Sequence, residues 1–139
     1  MKKLLSHKNE VPVRFSEVDS LRVVWHGNYI KYFEDGRESF GLTHGLSYLN
    51  FRDNGYVTPI VKLSIDYKRS IKYGESAIIE TTFVNTPAAK LIFSYKIFRS
   101  SDQALAATGE TTQVFLNTDG ELSLVVPDFI EAWKKKWVV

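Results

Sequence analysis

The sequence predicts an α+β domain in which an antiparallel β-sheet curls around one long helix. Apolar residues recur at helical spacing after Asn28, and charged residues occupy much of the opposite side. From Val61 onward the apolar period changes to two, in four consecutive segments. Short polar turns separate these segments, and such turns join antiparallel neighbours. One apolar helix followed by a long meandering sheet therefore indicates the fold class.

The helix and the residues before it form the first half of this pattern. A strand is expected over residues 10–18. A long helix is expected to begin at Asn28, a suitable N-cap, and to stop near Gly41 or Gly45. Gly36 inside it costs up to about 1 kcal/mol relative to alanine, which predicts close approach by another element. The apolar positions of the helix are Tyr29, Ile30, Phe33, Phe40 and Leu42.

The sheet forms the second half. A short helical turn is expected over residues 47–54, and a C-terminal helix over residues 127–136, with a proline at its first turn. Each strand is expected to pair with the next along the chain, and Tyr73-Gly74-Glu75 is interpreted as one of the connecting turns. The expected strands are residues 61–68, 77–85, 90–100 and 104–116.

Composition limits the function classes. The chain has 139 residues and is 44% hydrophobic, which is enough for one domain with a substantial core. Its net charge is only +2, so we expect no nucleic-acid partner. It has no cysteine, which excludes disulfides, thiolate metal sites and a cysteine nucleophile. Its three histidines lack the close spacing of metal ligands, so we predict no metal site.

The first residues bear on localisation. Residues 1–5, MKKLL, resemble the opening of a signal peptide, but the chain turns polar at Ser6, so the apolar segment is too short. No run has the length of a membrane span. We therefore expect a cytoplasmic protein.

The bend before the helix carries the residues with chemistry. Asp19 stands seven residues before His26, which directly precedes Gly27 and Asn28 at the expected helix start. This indicates either a packed bend or a reaction centre, because a carboxylate can act as base or nucleophile and a helix start offers free N–H groups. Alone, Asp19 would more often be a turn residue, and His26 a hydrogen-bonded core histidine.

The stretch from Phe15 to Arg37 resembles the hotdog-fold acyl-CoA thioesterases of the 4-hydroxybenzoyl-CoA thioesterase type. Their motif is approximately Tyr-x-Asp-Thr-Asp-x-x-Gly-Val-Val-Tyr/Trp-His/Tyr-x-Asn-Tyr, followed by Phe-Glu-x-x-Arg. This chain has FSEVDSLRVVWHGNY, followed by FEDGR. Arg22 stands where glycine is usual, and it could pair with Asp19 or reach a phosphate. The other departures are Phe15, Glu17 and Val18.

The resemblance implies the hotdog fold and a thioester hydrolase, with its site at the interface of a homodimer or homotetramer. It implies that Asp19 is the catalytic carboxylate and that the main-chain N–H of His26 polarises the thioester carbonyl. The expected helix start at His26, Gly27 and Asn28 offers free N–H groups to the same oxygen, and the side chains of His26 and Asn28 could orient water or the carboxylate. Beyond the acyl-CoA substrate we expect no cofactor. Residues proposed to contact the acyl group are Trp25, Tyr29 and Phe33, with Tyr48 and Phe51 also apolar and near. Residues proposed to contact the CoA phosphates are Lys68, Arg69, Lys72 and Arg99.

Two alternatives on the same fold stay open. The first is a thioesterase that takes its acyl group from an acyl carrier protein. The second is a non-hydrolytic protein that binds acyl-CoA, which the departures at Phe15 and Arg22 keep open. The residues do not distinguish a nucleophilic Asp19 from one that activates water. They permit either aromatic or fatty acyl groups.

Overall fold

The computed structural model describes residues 5–138, so the expectation about the first residues lies almost wholly outside the described part. Five strands form one antiparallel sheet in the order β1-β4-β5-β6-β3, and α1 packs against β1 and β4 on one face. This confirms a sheet curled around a long helix. The elements of this layer are β1 (Ser6–Pro12), α1 (Tyr29–His44), β3 (Ile60–Tyr67), β4 (Ser76–Val84), β5 (Lys90–Arg99) and β6 (Leu105–Val114).

Smaller elements close the ends of this layer. They are α2 (Tyr48–Asp53), β2 (Tyr56–Val57), β7 (Leu116–Asn117) and α3 (Asp128–Trp137). Trp133 of α3 is buried, and its indole N–H donates to the carbonyl of His44 at the end of α1, at 2.7 Å. The C-terminal helix is therefore anchored to the end of the long helix. Within residues 5–138, no helix is long and apolar enough to cross a membrane.

The long helix buries a narrower face than its apolar pattern predicted. Tyr32, Phe33 and Phe40 are fully buried, whereas Ile30 is 36% and Leu42 is 68% exposed. The helix instead packs through aromatic side chains on the sheet side. A side chain at position 36 would lie 2.7 Å from Cγ2 of a β4 isoleucine, which confirms the predicted close approach at this glycine.

The strand neighbours differ from those predicted. The strand Ile60–Tyr67 does not pair with β4; it lies at the far edge of the sheet and pairs with β6. The connecting segment, residues 68–75, instead hydrogen-bonds to the bend before α1, where the N–H of Val24 donates to Ile71 O at 2.8 Å. The turn at Gly74 exists, with φ of +98°, but it is part of this crossover. Sequence spacing alone could not distinguish a crossover from a hairpin.

The first strand ends earlier than predicted. It covers Ser6–Pro12, and a single 3-10 turn at Phe15–Glu17 follows. The turn is favoured because the Glu17 carboxylate accepts a hydrogen bond from the main-chain N–H of Arg14, at 2.8 Å. Residues 15–18 therefore belong to the bend and not to the sheet.

Candidate functional site

A buried carboxylate anchors the bend to the helix. Glu17 is 5% exposed, and its Oε1 accepts hydrogen bonds from the N–H of Arg14 (2.8 Å) and the hydroxyl of Tyr32 (3.2 Å). Its main-chain carbonyl accepts from the N–H of Trp25 and from the side-chain amide of Asn28, both at 2.9 Å. Burial raises the pKa of the Tyr32 phenol, and the negative charge of Glu17 raises it further. Glu17 is therefore positioned to hold the bend together.

Asp19 begins a tight turn on the far side of this anchor. The N–H of Asp19 donates to Val23 O at 2.9 Å, and the N–H of Arg22 donates back to Asp19 O at 3.0 Å. The Asp19 carboxylate accepts from the N–H of Leu21 at 2.8 Å. These bonds define a three-residue hairpin loop, whose last residue adopts the left-handed conformation. The Asp19 side chain remains partly exposed.

Arg22 occupies that left-handed position, with φ of +64°. A side chain other than glycine costs about 1–2 kcal/mol there, because Cβ crowds the neighbouring carbonyl. This explains why glycine is usual at this point of the motif. Arg22 and Asp19 form no ion pair in the described part of the chain, so the predicted pairing between them is not observed.

The helix start presents free N–H groups. A 3-10 turn over His26–Asn28 leads directly into α1, and the N–H of Asn28 already donates to Trp25 O at 2.9 Å. Within residues 5–138, the N–H groups of His26 and Gly27 have no main-chain acceptor. These two N–H groups lie at the N-terminal end of the helix, which is the positive end of its dipole. Asn28 occupies the predicted N-cap position, but its side chain does not cap the helix, because its amide donates to Glu17 O instead.

Gly27 accommodates a neighbouring ring. A Cβ at this position would lie 2.7 Å from Cε3 of Trp25. The space beside this glycine is therefore occupied by Trp25, which is itself 50% exposed. Its ring also lies against the His26 imidazole, with 4.8 Å between centroids.

A cavity of about 280 Å³ lies beside the helix start. Tyr67 contributes to its wall, and its hydroxyl donates to the carbonyl of His26 at 2.8 Å. Sequence reasoning missed Tyr67 as a site residue, although its position as the last apolar residue of an alternating strand was visible. The lining residues are Val24, His26, Tyr29, Tyr67, Lys68, Arg69 and Ser70.

The predicted phosphate contacts divide into two groups. Lys68 and Arg69 line the small cavity, and Lys72 lies at the bend, paired through its main chain with Val23. Arg99 instead holds Asp102 with two hydrogen bonds of 2.8 Å. These bonds lower the pKa of the Asp102 carboxyl to about 2. The prediction that Arg99 is free to bind phosphate is therefore not supported.

Phe33 is a core residue in this structure. It is fully buried and stacks on Tyr95, with 4.3 Å between ring centroids. Gly109 makes room for it, since a Cβ there would lie 2.5 Å from Cε2 of Phe33. Phe33 lines neither of the two cavities, so the structure does not place it against a substrate.

A second, larger cavity of about 790 Å³ lies along the second half of α1. Tyr48 and Phe51, which the sequence suggested as acyl contacts, both line it. Arg37 also lines it, and donates to the hydroxyl of Tyr95 at 3.0 Å. The apolar part of the lining is Leu42, Leu46, Tyr48, Leu49, Phe51, Val57, Pro59, Phe93 and Leu116.

The structure does not bring Asp19 and His26 into contact. Val18 pairs with Val24, which places Asp19 opposite Val23. His26 is three residues farther along, roughly 10 Å at the rise of an extended chain. No hydrogen bond joins the two side chains in the described part of the chain. They lie at opposite ends of one bend.

Comparisons of the sequence with known proteins agree on one family. Residues 13–134 match the sequence profile of the thioesterase-like superfamily. YneP from Bacillus subtilis (strain 168), provisionally named an acyl-CoA thioesterase, is 26% identical over 92% of this chain and 95% of its own.

Two solved structures have the same architecture. DHNA-CoA thioesterase from Staphylococcus aureus superposes with a TM-score of 0.83 and 29% identity, over 94% of this chain and 90% of its own. The 4-hydroxybenzoyl CoA thioesterase from Pseudomonas sp. strain CBS-3 superposes with a TM-score of 0.79 and 24% identity, over 91% of this chain and 97% of its own. The hotdog fold that the sequence predicted is confirmed.

Proposed function

The chain belongs to the thioesterase-like superfamily and is a thioester hydrolase, and on this premise we propose that its substrates are acyl-CoA thioesters. One observation carries the proposal. At the positive end of a sixteen-residue helix, the N–H groups of His26 and Gly27 have no main-chain acceptor in the described part of the chain, and His26 lines a cavity that two cations also line. The N–H groups suit a thioester oxygen that gains negative charge during the reaction. The cations suit an acyl donor that carries phosphates.

In the proposed reaction, the thioester oxygen accepts hydrogen bonds from the N–H groups of His26 and Gly27. Losing one such donor typically lowers turnover by roughly a hundred- to a thousandfold. The Asp19 carboxylate either attacks the carbonyl carbon or takes a proton from water that attacks it. The C–S bond then breaks and the CoA sulfur leaves as the thiolate. If Asp19 has attacked, water then hydrolyses the acyl-aspartyl anhydride and regenerates the carboxylate. By either route one water molecule supplies the oxygen of the free acid and the protons of the acid and the thiol.

The two cavities suggest where the two halves of the substrate bind. Lys68 and Arg69 suit the phosphates of CoA, next to the helix start. The larger cavity suits the acyl group, since its lining is mostly apolar and it lies along the same helix. Its volume of about 790 Å³ is sufficient for either an aromatic or a fatty acyl group.

We propose a homodimer or homotetramer in which a second subunit completes the site. The strand Ile60–Tyr67 forms one edge of the sheet, so one side of its main chain has no strand partner in the described part of the chain. Val61 is 59% and Tyr67 is 49% exposed on this strand. An exposed apolar edge of this kind favours pairing with another chain. A second subunit there would bring new groups close to the small cavity, to which Tyr67 already contributes.

The test is release of free thiol from short-, medium- and long-chain and aromatic acyl-CoAs, with the wild type and Asp19→Asn side by side. Asparagine keeps an oxygen that can accept from the N–H of Leu21, so the turn should survive the substitution. We expect turnover in the wild type and a loss of about 10²–10⁴-fold in the variant. Unchanged turnover in the variant would refute the catalytic role of Asp19.

Two other outcomes would favour the alternatives. A chloroplastic acyl-acyl carrier protein thioesterase from Arabidopsis thaliana is 26% identical over 70% of this chain and 51% of its own. Turnover of acyl groups only from a carrier protein would therefore support that donor. Tight binding of acyl-CoA without turnover of any donor would support a non-hydrolytic binding protein.

A further inference from the structure

Arg22 is held in a strained conformation at the edge of the proposed site. It is one of two residues other than glycine with positive φ in the described part of the chain; the other is Gln103, at +62°. The loop geometry at Arg22 is the one that glycine satisfies without strain. Strain at a residue other than glycine, in the bend that carries the candidate reaction centre, suggests a function for its side chain.

The main chain places Arg22 beside Lys72 and Asp19. The Arg22 carbonyl accepts from the N–H of Tyr73 at 3.4 Å, Lys72 is bridged to Val23, and the N–H of Arg22 donates to Asp19 O at 3.0 Å. Neither Arg22 nor Lys72 forms an ion pair within residues 5–138. Both side chains therefore keep their charge available for an anion.

We propose that Arg22 binds a phosphate group of the CoA donor, together with Lys72. The planar guanidinium can donate two parallel hydrogen bonds to phosphate oxygens, which lysine cannot. Arg22 is two residues from Val24, which lines the small cavity, or roughly 7 Å along an extended chain. The inference rests on the proposed acyl-CoA substrate, and it identifies Arg22 as a residue that selects phosphate-bearing donors.

The experiment compares Arg22→Gly with a matched control, Gln103→Gly. Both variants relieve strain of the same kind, and the greater entropy that glycine gives the unfolded chain offsets about half of this gain, so both should melt at a temperature higher by about 3 °C. Only Arg22→Gly should raise KM for acyl-CoA, by about tenfold, because a charge-assisted hydrogen bond is lost. The same acyl group on N-acetylcysteamine, which has no phosphate, should show no such difference. Arg22→Lys keeps the positive charge, so it should raise KM for acyl-CoA by less than Arg22→Gly does.

Equilibrium binding of CoA itself separates this inference from the proposed function. Arg22→Gly should weaken CoA binding about tenfold, and the difference from the wild type should shrink at high salt. Repeating the titration with dephospho-CoA assigns the contact: a loss with both ligands indicates the diphosphate, and a loss with CoA alone indicates the ribose phosphate.

The results that would overturn the inference differ from those that would overturn the function. Equal CoA affinity in the wild type and Arg22→Gly would show that Arg22 does not bind phosphate, whether or not the protein hydrolyses thioesters. A KM change of equal size on the phosphate-free substrate would show that the substitution acts on the turn. A wild type that binds CoA through Arg22 but hydrolyses no acyl-CoA would refute only the proposed reaction.

Discussion

Replacing Glu17 by glutamine should weaken the attachment of the bend to the long helix. The carboxylate accepts two hydrogen bonds on one oxygen, from the Arg14 N–H and the Tyr32 hydroxyl. A carboxamide would accept them without the negative charge, or present its NH₂ group to both donors. Tyr32 is fully buried, so an unpaired hydroxyl there costs about 1–3 kcal/mol. The main-chain bonds of Glu17 are unaffected by the change.

Thermal unfolding measures this loss. For a chain of this size, about 1 kcal/mol corresponds to about 4 °C, so Tm should fall by about 4–12 °C. Glu110→Gln is the matched control, because Glu110 is exposed and its side chain makes no hydrogen bond or ion pair in the described part of the chain. A melting temperature for Glu17→Gln within 1 °C of the control would refute the anchoring role.

A double-mutant cycle with Tyr32→Phe isolates the contact itself. If Glu17 and Tyr32 interact, the free energy lost in the double variant should be smaller than the sum of the single losses, by about 1 kcal/mol. Alkaline pH gives an independent check. The pKa of the Tyr32 phenol is raised in the folded protein, so its contribution to stability is complete below pH 10 and is lost at higher pH. Tyr32→Phe should therefore flatten the alkaline limb of the stability curve.

Three further substitutions test other parts of the structure. Gly109→Ala would place its Cβ 2.5 Å from the buried ring of Phe33, so we expect a loss of about 3 kcal/mol in urea unfolding; wild-type stability would contradict the packing. Tyr67→Phe removes the 2.8 Å bond to the carbonyl of His26, so acyl-CoA turnover should fall a few-fold, and full activity would exclude a positioning role. The pKa of Asp102 is lowered to about 2, so its ion pair stabilises the fold above pH 4. The difference in Tm between the wild type and Asp102→Asn should be present at pH 6 and should be much smaller near pH 2.

The sequence determined the local structure and the location of the candidate site. Helical spacing after Asn28 and alternation after Val61 are properties of consecutive residues, so they predict elements without knowledge of the partners. The motif around Asp19 and His26 identified the family for the same reason, since its residues are contiguous. The predicted close approach of another element to Gly36 also followed from a local rule, because glycine inside a helix destabilises it relative to alanine.

The tertiary structure decided which groups meet. Whether Ile60–Tyr67 pairs with the next strand or crosses to the far edge depends on the energy of the whole sheet, which no local pattern contains. Arg99 was predicted to contact a CoA phosphate, but folding pairs it with Asp102. The helical spacing of Phe33 is compatible with either a substrate pocket or the core. Its stack on Tyr95 shows that it belongs to the core. Pairing between distant residues is selected by the packing of the complete chain, and therefore only the fold reveals it.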